Sequence, residues 1–431
     1  MKQSLLGTLT RFAEYLWRFK LTPCGKTLVL GGVVLGSFAS TSIDIPLFHL
    51  LFALFFLGLL ALCAGAVYRP RLRITGAFPK TATTAHEVAG TFTVSNTSPL
   101  PCFDVGVDYF DLPDHVMIAR QAEVVREIPA RDSCSFTISL RASRRGVYEM
   151  PRLRAFTMFP FGICRAGSSY AEGRPLLVLP DFHPISALDV PIGARYQPGG
   201  IALTSNVGES AEYIGNREYR YGDPVRHIDF RAWGRIARPV VKEFQEEYLC
   251  RVALVLDTFL PGSGYTLDAL MRRAIQSLAN RRHPKPDNPL EAAISLTAAI
   301  ADVLARGEHV IDLFAAGPRL HVFRAGRHIS HLDNVLEILA CVEPCADNPF
   351  DSLVPSLNEE LTTISTVICV FLHWDEARRD LLRAAVENGC GLKVILIEED
   401  TNAAHDGIEE WSEVLVRLTP KAIFDGGVDT L

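Results

Sequence analysis

Two long apolar runs near the start of the chain distinguish it from an ordinary soluble protein. Residues 27–43 and 45–68 contain no Asp, Glu, Lys or Arg, and Asp44 alone separates them. Each run is long enough to cross the hydrocarbon core of a bilayer as a helix. The pattern therefore predicts a transmembrane helical hairpin over residues 27–68.

Basic residues flank this hairpin on both sides. They are Lys2, Arg11, Arg18, Lys20, Lys26, Arg69, Arg71 and Arg73. Basic segments that flank transmembrane helices usually remain on the cytoplasmic side of the membrane. The chain is therefore expected to cross the inner membrane twice and to have its soluble domains in the cytoplasm. A signal peptide cleaved near residues 37–39 is the alternative, and the second apolar run argues against it. Residues 1–26 are then a cytoplasmic leader, and residues 2–20 have the one-sided apolar pattern of an amphipathic helix on the inner leaflet.

Small residues recur at every fourth position within both apolar runs. Gly32, Gly36 and Ser40 follow this spacing in the first run, and Ala61 and Gly65 in the second. Such residues let helix backbones approach closely. Packing of the two spans against each other is favoured, and assembly of the chain into a homo-oligomer is the alternative.

Beyond the hairpin, residues 70–180 alternate apolar with polar residues. Segments such as EVAGTFTVSNTS and SCSFTISLRA are short and are separated by Asn, Pro, Gly and Asp. Strands of this kind are typical of an antiparallel, Ig-like β-sandwich. Residues 181–249 begin with a Pro- and Gly-rich surface linker and end with a dense motif region.

Residues 250–431 alternate strands with helices. Strands are predicted at 251–257, 309–314, 365–372 and 391–397, and helices at 291–305, 332–340, 377–387 and 411–416. This order builds a doubly wound α/β layer. An insertion at 262–289, with a helix over 267–279 and a basic tail, would flank the sheet edge where ligands bind. The expected fold class is α+β multidomain, with hairpin, sandwich and α/β domain in that order.

Charge and cysteine usage exclude several kinds of function. The net charge of −6 gives no general attraction to nucleic acid. The ten cysteines contain no CxxC pair, and no Cys/His cluster has zinc spacing. Cys341 and Cys345 lie one turn apart on an expected helix and are interpreted as ordinary buried thiols. The sequence predicts no cofactor.

The densest chemistry lies between residues 215 and 247. Arginines, carboxylates and aromatic residues are mixed there at irregular spacing: Arg217, Glu218, Tyr219, Tyr221, Asp223, Arg226, Asp229, Phe230, Arg231, Trp233, Arg235 and Arg238. Acidic and basic side chains are equally numerous from 212 to 247, so a phosphate-binding stripe is not expected. Interlocked Arg–carboxylate pairs are the favoured interpretation, because a guanidinium group binds a carboxylate bidentately and stacks on aromatic rings.

Part of this region resembles the signature of the DUF58 family, R-E-Y-x-x-G-D-x-x-R-x-I-D-W-x-x-x-A-R. The residues that carry the resemblance are Arg217, Glu218, Tyr219, Gly222, Asp223, Arg226, Ile228, Asp229, Phe230, Ala232 and Arg235. Phe230 and Gly234 stand where that family has Trp and Ala. Residues 144–148 (RRGVY) and 159–162 (FPFG) are also similar to features of the family. The resemblance implies a membrane anchor, a β-rich segment and a von Willebrand A-like domain. It further implies a MoxR-type AAA+ ATPase as partner, and no defined reaction.

A von Willebrand A-like domain would hold a divalent cation on an Asp-x-Ser-x-Ser loop after its first strand. Asp257 is present here, but Phe259 and Pro261 occupy the two serine positions. Neither side chain offers the oxygen that Mg²⁺ requires. No metal site is expected, and Asp257 is a weak candidate. The alternative is an acid stabilised by helix N-termini at the sheet edge.

The expected function is a non-enzymatic, membrane-anchored adaptor or scaffold, which presents the motif region to a cytoplasmic partner. An enzyme that uses Glu218, Asp223, His227 and Asp229 is the rival. No GxSxG, HExxH or Walker motif supports that rival. A third hypothesis is a purely structural ion-pair network that ties the sandwich to the α/β domain.

Overall fold

The computed structural model describes residues 14–41, 45–68, 70–191, 213–223, 225–244, 251–261, 288–307, 309–316, 320–324 and 331–431. These residues form two compact units, and the first ends at Asp181. The expected helix over 267–279, most of the leader helix, Asp44 and the linker from 192 to 212 lie outside the described residues.

Two apolar helices, α1 (Pro23–Ala39) and α2 (Ile45–Val67), pack against each other in the first unit. They follow a π-helical turn at Leu16–Lys20. Within the described residues, Pro46–Val67 alone is long and apolar enough to cross a membrane, and Pro23–Ala39 is a shorter apolar helix. The structure thus contains one clear candidate span.

The turn at residues 159–164 holds the beginning of α1. Thr22 donates from its backbone nitrogen to Ile163 O (3.1 Å) and from Oγ1 to Gly162 O (2.6 Å). A Cβ atom on Gly25 would lie 2.2 Å from Ile163 O, so this close approach requires glycine. Helix α1 and the β-sheets that follow are therefore packed as one body.

The remaining elements of the first unit are strands. They are β1 (Leu72–Ala77), β2 (Thr81–Thr83), β3 (Glu87–Asn96), β4 (Cys102–Tyr109), β5 (Val116–Arg120), β6 (Val125–Ile128), β7 (Ser133–Ala142), β8 (Gly146–Glu149), β9 (Leu153–Thr157), β10 (Ala166–Ala171) and β11 (Pro175–Leu179). Two four-stranded antiparallel sheets have the orders β1-β3-β7-β5 and β10-β9-β4-β6, and a third has the order β2-β11-β8. Phe92 and Val94 of the first sheet share one buried core with Val105 and Leu153 of the second. This part of the chain is β-sandwich-like, in agreement with its alternating pattern.

The second unit contains two further sheets. Its strands are β12 (Tyr213–Glu218), β13 (Val240–Phe244), β14 (Arg251–Leu256), β15 (Val310–Ala316), β16 (Leu320–Arg324), β17 (Thr366–Phe371), β18 (Gly391–Ile397) and β19 (Leu415–Leu418). Its helices are α3 (Phe230–Ile236), α4 (Pro289–Arg306), α5 (His331–Cys341), α6 (Phe350–Glu360), α7 (Glu376–Glu387) and α8 (Pro420–Phe424), with 3₁₀ turns at Val225–His227 and Glu409–Trp411. Strands β12 and β13 pair with each other, and the other six form a sheet of order β16-β15-β14-β17-β18-β19. All neighbours in that sheet are parallel except β15 and β16.

Two predictions for this unit are wrong. The segment 411–416 is not a helix, because Leu415–Leu418 pairs in parallel with β18, so that Val416 lies opposite Ile395. The free edge of β18 offers backbone partners, which a short apolar segment takes more readily than an isolated helical turn. Cys341 and Cys345 do not share a helix either, since α5 ends at Cys341, whose side chain is exposed.

Candidate functional site

The motif residues lie on the β12–β13 ribbon and on the segment that joins its two strands. The strands are antiparallel, with Glu218 opposite Val240. Tyr219 N donates to Pro239 O (3.0 Å), which extends the pairing by one residue. Because Val240 and Val241 are buried, the ribbon is anchored by its apolar residues.

Asp223 closes the turn that follows β12. Nη1 and Nη2 of Arg217 donate to its two carboxylate oxygens, each at 2.8 Å, and Arg220 N donates at 2.8 Å. Gly222 has a φ of 107°, which glycine adopts without strain. Two hydrogen bonds lower the pKa of Asp223 from 3.8 to about 2, and the one from the Arg217 side chain contributes more than the one from Arg220 N. The Asp223 side chain is ionised and only 11% exposed, so its role is to hold the turn.

Asp229 caps helix α3. Its Oδ1 accepts hydrogen bonds from Arg231 N and Ala232 N, each at 3.0 Å, and its Oδ2 accepts from Asn216 Nδ2 (3.2 Å). Hydrogen bonds lower the pKa of Asp229, and the one from Ala232 N contributes more than the one from Asn216. Asp is among the residues that best satisfy the free N–H groups of a helix start. Asp229 therefore fixes α3 to the ribbon through Asn216.

The other end of α3 is held more loosely. Ala237 takes the left-handed conformation that ends a helix, with φ of 60°, and its N–H donates to Trp233 O (2.8 Å). Arg238 Nη1 lies 3.1 Å from Glu218 Oε1, and both side chains are 73% exposed. Such an exposed pair contributes little to stability.

Helix α3 is exposed along nearly its whole length. Ala232 is its buried residue, whereas Phe230 is 66% exposed and Ile236 is 54% exposed. The rings of Phe230 and Trp233 stack with a centroid distance of 6.0 Å. Tyr221, in the preceding turn, is fully exposed. The helix thus presents aromatic and aliphatic side chains to solvent.

The predicted motif residues divide into two groups. A framework consists of Arg217, Gly222, Asp223 and Asp229, which shape the backbone. An exposed group surrounds it, namely the predicted residues Tyr221, Phe230, Arg231, Trp233 and Arg235, together with Ile236, which was not predicted. Arg226 is exposed in the 3₁₀ turn Val225–His227. Asp followed by the short helical run Phe-Arg-Ala-Trp is the sequence signal that identifies Asp229 as a cap.

Asp257 follows β14 at the carboxyl edge of the six-stranded sheet and is completely buried. Its Oδ1 accepts from Phe259 N (2.9 Å) and its Oδ2 from Leu372 N (3.0 Å). Arg378, equally buried, donates from Nε to Oδ2 (2.8 Å), and its Nη2 lies 2.7 Å from the same oxygen. The charge of Asp257 is therefore balanced by a guanidinium group rather than by helix N-termini. Within the described residues, no group of three or more His, Cys, Asp or Glu is arranged to hold a metal ion.

Sequence reasoning missed Arg378. It lies in the first turn of α7, whose cap is Asp375: Asp375 Oδ1 accepts from Arg378 N (3.0 Å) and Oδ2 accepts from Nη1. The guanidinium carbon lies 4.4 Å from the ring centroid of Phe350 and 5.6 Å from that of Phe259. An Asp three residues before an Arg, at the start of a helix, was the available signal.

No family model matches the chain, and no curated protein matches it. The solved structures that are similar to parts of it include the following three. The CARDB domain of PF1109 from Pyrococcus furiosus is 13% identical, with 26% of this chain and 95% of that chain covered and a TM-score of 0.19. A protein of unknown function from Porphyromonas gingivalis is 19% identical over 28% and 53% of the chains, with a TM-score of 0.19. The cupredoxin domain of amoB from Nitrosocaldus yellowstonii is 9% identical over 26% and 84%, with a TM-score of 0.18.

Proposed function

We propose that this chain is a membrane-anchored adaptor of the DUF58 type that works with a MoxR-type AAA+ ATPase in the assembly or maintenance of envelope complexes. The observation that carries the proposal is the exposed helix α3, whose aromatic and arginine side chains stand on a framework fixed by Asp223 and Asp229. Aromatic residues and arginine are enriched at protein–protein interfaces. A rigid frame under an exposed apolar surface is a typical arrangement for recognition.

Two architectural features support the family assignment. The sheet order β16-β15-β14-β17-β18-β19 places the first strand of the α/β domain at the centre and its third at an antiparallel edge. This is the strand order of a doubly wound domain, and it agrees with a von Willebrand A-like fold. The packing of α1 on α2 agrees with a two-pass hairpin, since the 17 residues of α1 reach the lower limit of a spanning helix. Basic flanks would then keep both units in the cytoplasm.

The state of the acidic residues favours an adaptor over an enzyme. A general acid or base at neutral pH needs a pKa near 7. The pKa values of Asp223 and Asp229 are shifted down instead, because each accepts several hydrogen bonds. A purely structural network would explain these two acids, but it leaves the exposed Phe230 and Trp233 without a role.

Affinity purification of the tagged full chain from detergent-solubilised membranes tests the proposal. Mass spectrometry should show a MoxR-type ATPase enriched over a purification with an unrelated two-span protein. The chain and the ATPase should also co-migrate in size-exclusion chromatography. If the chain is recovered intact and no AAA+ ATPase is enriched, the adaptor proposal is wrong.

A further inference from the structure

We infer that the exposed surface formed by α3 and the turn at residues 220–223, named here the α3 face, binds an acidic protein segment that carries an apolar side chain. This inference rests on the proposed function and adds the chemistry of the partner. In the motif region, the described acidic side chains and the described arginines differ in how many of them form ion pairs.

Three acidic side chains of this region that the structure describes are already engaged, whereas several described arginines form no ion pair. Asp223 is bound by Arg217, Asp229 caps α3, and Glu218 pairs with Arg238. Around the α3 face three further basic side chains are exposed and form no ion pair within the described residues, namely Arg220, Arg231 and Arg235. The described residues of the α3 face therefore present more basic than acidic side chains to solvent.

Apolar side chains stand among these arginines. Tyr221, Phe230, Trp233 and Ile236 are all large and exposed. Phe230 and Trp233 are already stacked, so these two side chains lose little conformational entropy when a partner side chain packs on them. Arginine binds carboxylates bidentately, and burial beside aromatic rings strengthens such pairs. The complementary ligand is a carboxylate-rich segment with an aliphatic or aromatic anchor.

A protein segment fits this surface better than a nucleic acid or a lipid surface. Nucleic acid binding depends mainly on many contacts with phosphates. In the described part of this surface, three arginines form no ion pair, which is few for phosphate binding, and the chain has a net charge of −6. The aliphatic Ile236 offers nothing to a base, whereas it suits a peptide anchor. A lipid surface would also use cations beside aromatic residues, so lipid binding is a competing outcome of the test.

The test is a selection of short random peptides on the full chain in detergent, with three proteins in parallel. They are the wild type, the variant Arg231→Glu/Arg235→Glu, and a matched variant Arg120→Glu/Arg126→Glu on exposed sandwich strands. Wild type and matched variant should enrich peptides with Asp or Glu beside an apolar residue. The α3 variant should bind those peptides at least about tenfold more weakly than the wild type.

Several outcomes would overturn the inference. They are the recovery of peptides without an acidic bias and equal peptide binding by the α3 variant. A third is binding of phosphatidylglycerol in mixed micelles, or of single-stranded DNA, that the α3 variant loses while no peptide binds. The same variants separate this inference from the proposed function. If an ATPase co-purifies equally with the wild type and the α3 variant, the inference about the α3 face is wrong and the proposed function stands. If the wild type selects acidic peptides but no ATPase co-purifies with it, the proposed partner is wrong and the inference about the α3 face stands.

Discussion

Replacement of Arg378 by methionine should be among the most damaging single changes in the α/β domain. Both Arg378 and Asp257 have no exposed side-chain surface, and two guanidinium nitrogens lie within 2.8 Å of Asp257 Oδ2. Methionine fills much of the same space without a charge. Asp257 would keep its hydrogen bonds from Phe259 N and Leu372 N but would lose its counter-charge.

The magnitude follows from the burial of both partners. Removal of one member of a buried ion pair costs about 3–5 kcal/mol, because an uncompensated charge stays behind. The contact of Arg378 with the Phe350 ring is lost as well. For a domain of this size each kcal/mol lowers the melting temperature by about 2–4 °C, so a decrease of about 6–20 °C is expected.

Thermal unfolding of the full chain, with hydrogen exchange measured in β14 and β17, provides the assay. Arg383→Met is the matched control on the same helix, since Arg383 is 46% exposed and its partners Asp380 and Glu410 are 61% and 57% exposed. It should cost at most about 1 kcal/mol. The double variant Asp257→Asn/Arg378→Met should be more stable than Arg378→Met, because no unbalanced charge remains. An Arg378→Met chain as stable as the control would refute the reasoning, as would a saturable Mg²⁺ stabilisation of the wild type that Asp257→Ala abolishes.

Three further predictions concern the anchor, the motif turn and the topology. Gly25→Ala should loosen α1 from the sandwich at a cost of about 1–3 kcal/mol, visible as faster hydrogen exchange at 159–165, while Gly32→Ala, which meets nothing within 4 Å, should be neutral. Because the pKa of Asp223 is lowered, its stabilisation is complete above 3.8 and is lost as the pH falls towards about 2. Exchange of the amides of 213–223 should rise in that window, and Asp223→Asn should remove the dependence. Protease added to intact spheroplasts should leave the soluble units uncut; digestion there would contradict the cytoplasmic orientation.

The observed fold agrees with the sequence-based prediction wherever one hydrophobic pattern extends over a whole helix or strand. Alternation in β3 placed Phe92 and Val94 in the core, and continuous apolar runs predicted β14 and β17 at nearly their observed bounds. Short elements were less predictable. Leu415–Leu418 became a strand because β18 offers it a free edge, which is a tertiary effect that no local pattern contains.

The candidate site was predictable in its location and less so in its roles. Composition identified the motif region, but only the backbone shows that Asp229 is a helix cap and that Asp223 holds a turn. The counter-charge of Asp257 was missed because Arg378 lies 121 residues further along the chain. Helix N-termini at a sheet edge were the local alternative, whereas the actual partner is fixed by the packing of α7 on β18.

The two kinds of arginine in the second unit imply two separate electrostatic roles. Arg378 is shielded from solvent, so salt barely screens its attraction to Asp257, and it stabilises the sheet edge at any physiological ionic strength. Arg231 and Arg235 are exposed, and their effect decays within a Debye length of about 8 Å at 0.15 M salt and about 3 Å at 1 M. Partner binding at the α3 face would therefore weaken with salt while the fold that carries it stays intact. This separation lets one unit combine a permanently neutralised sheet edge with a surface whose charge remains available to a partner.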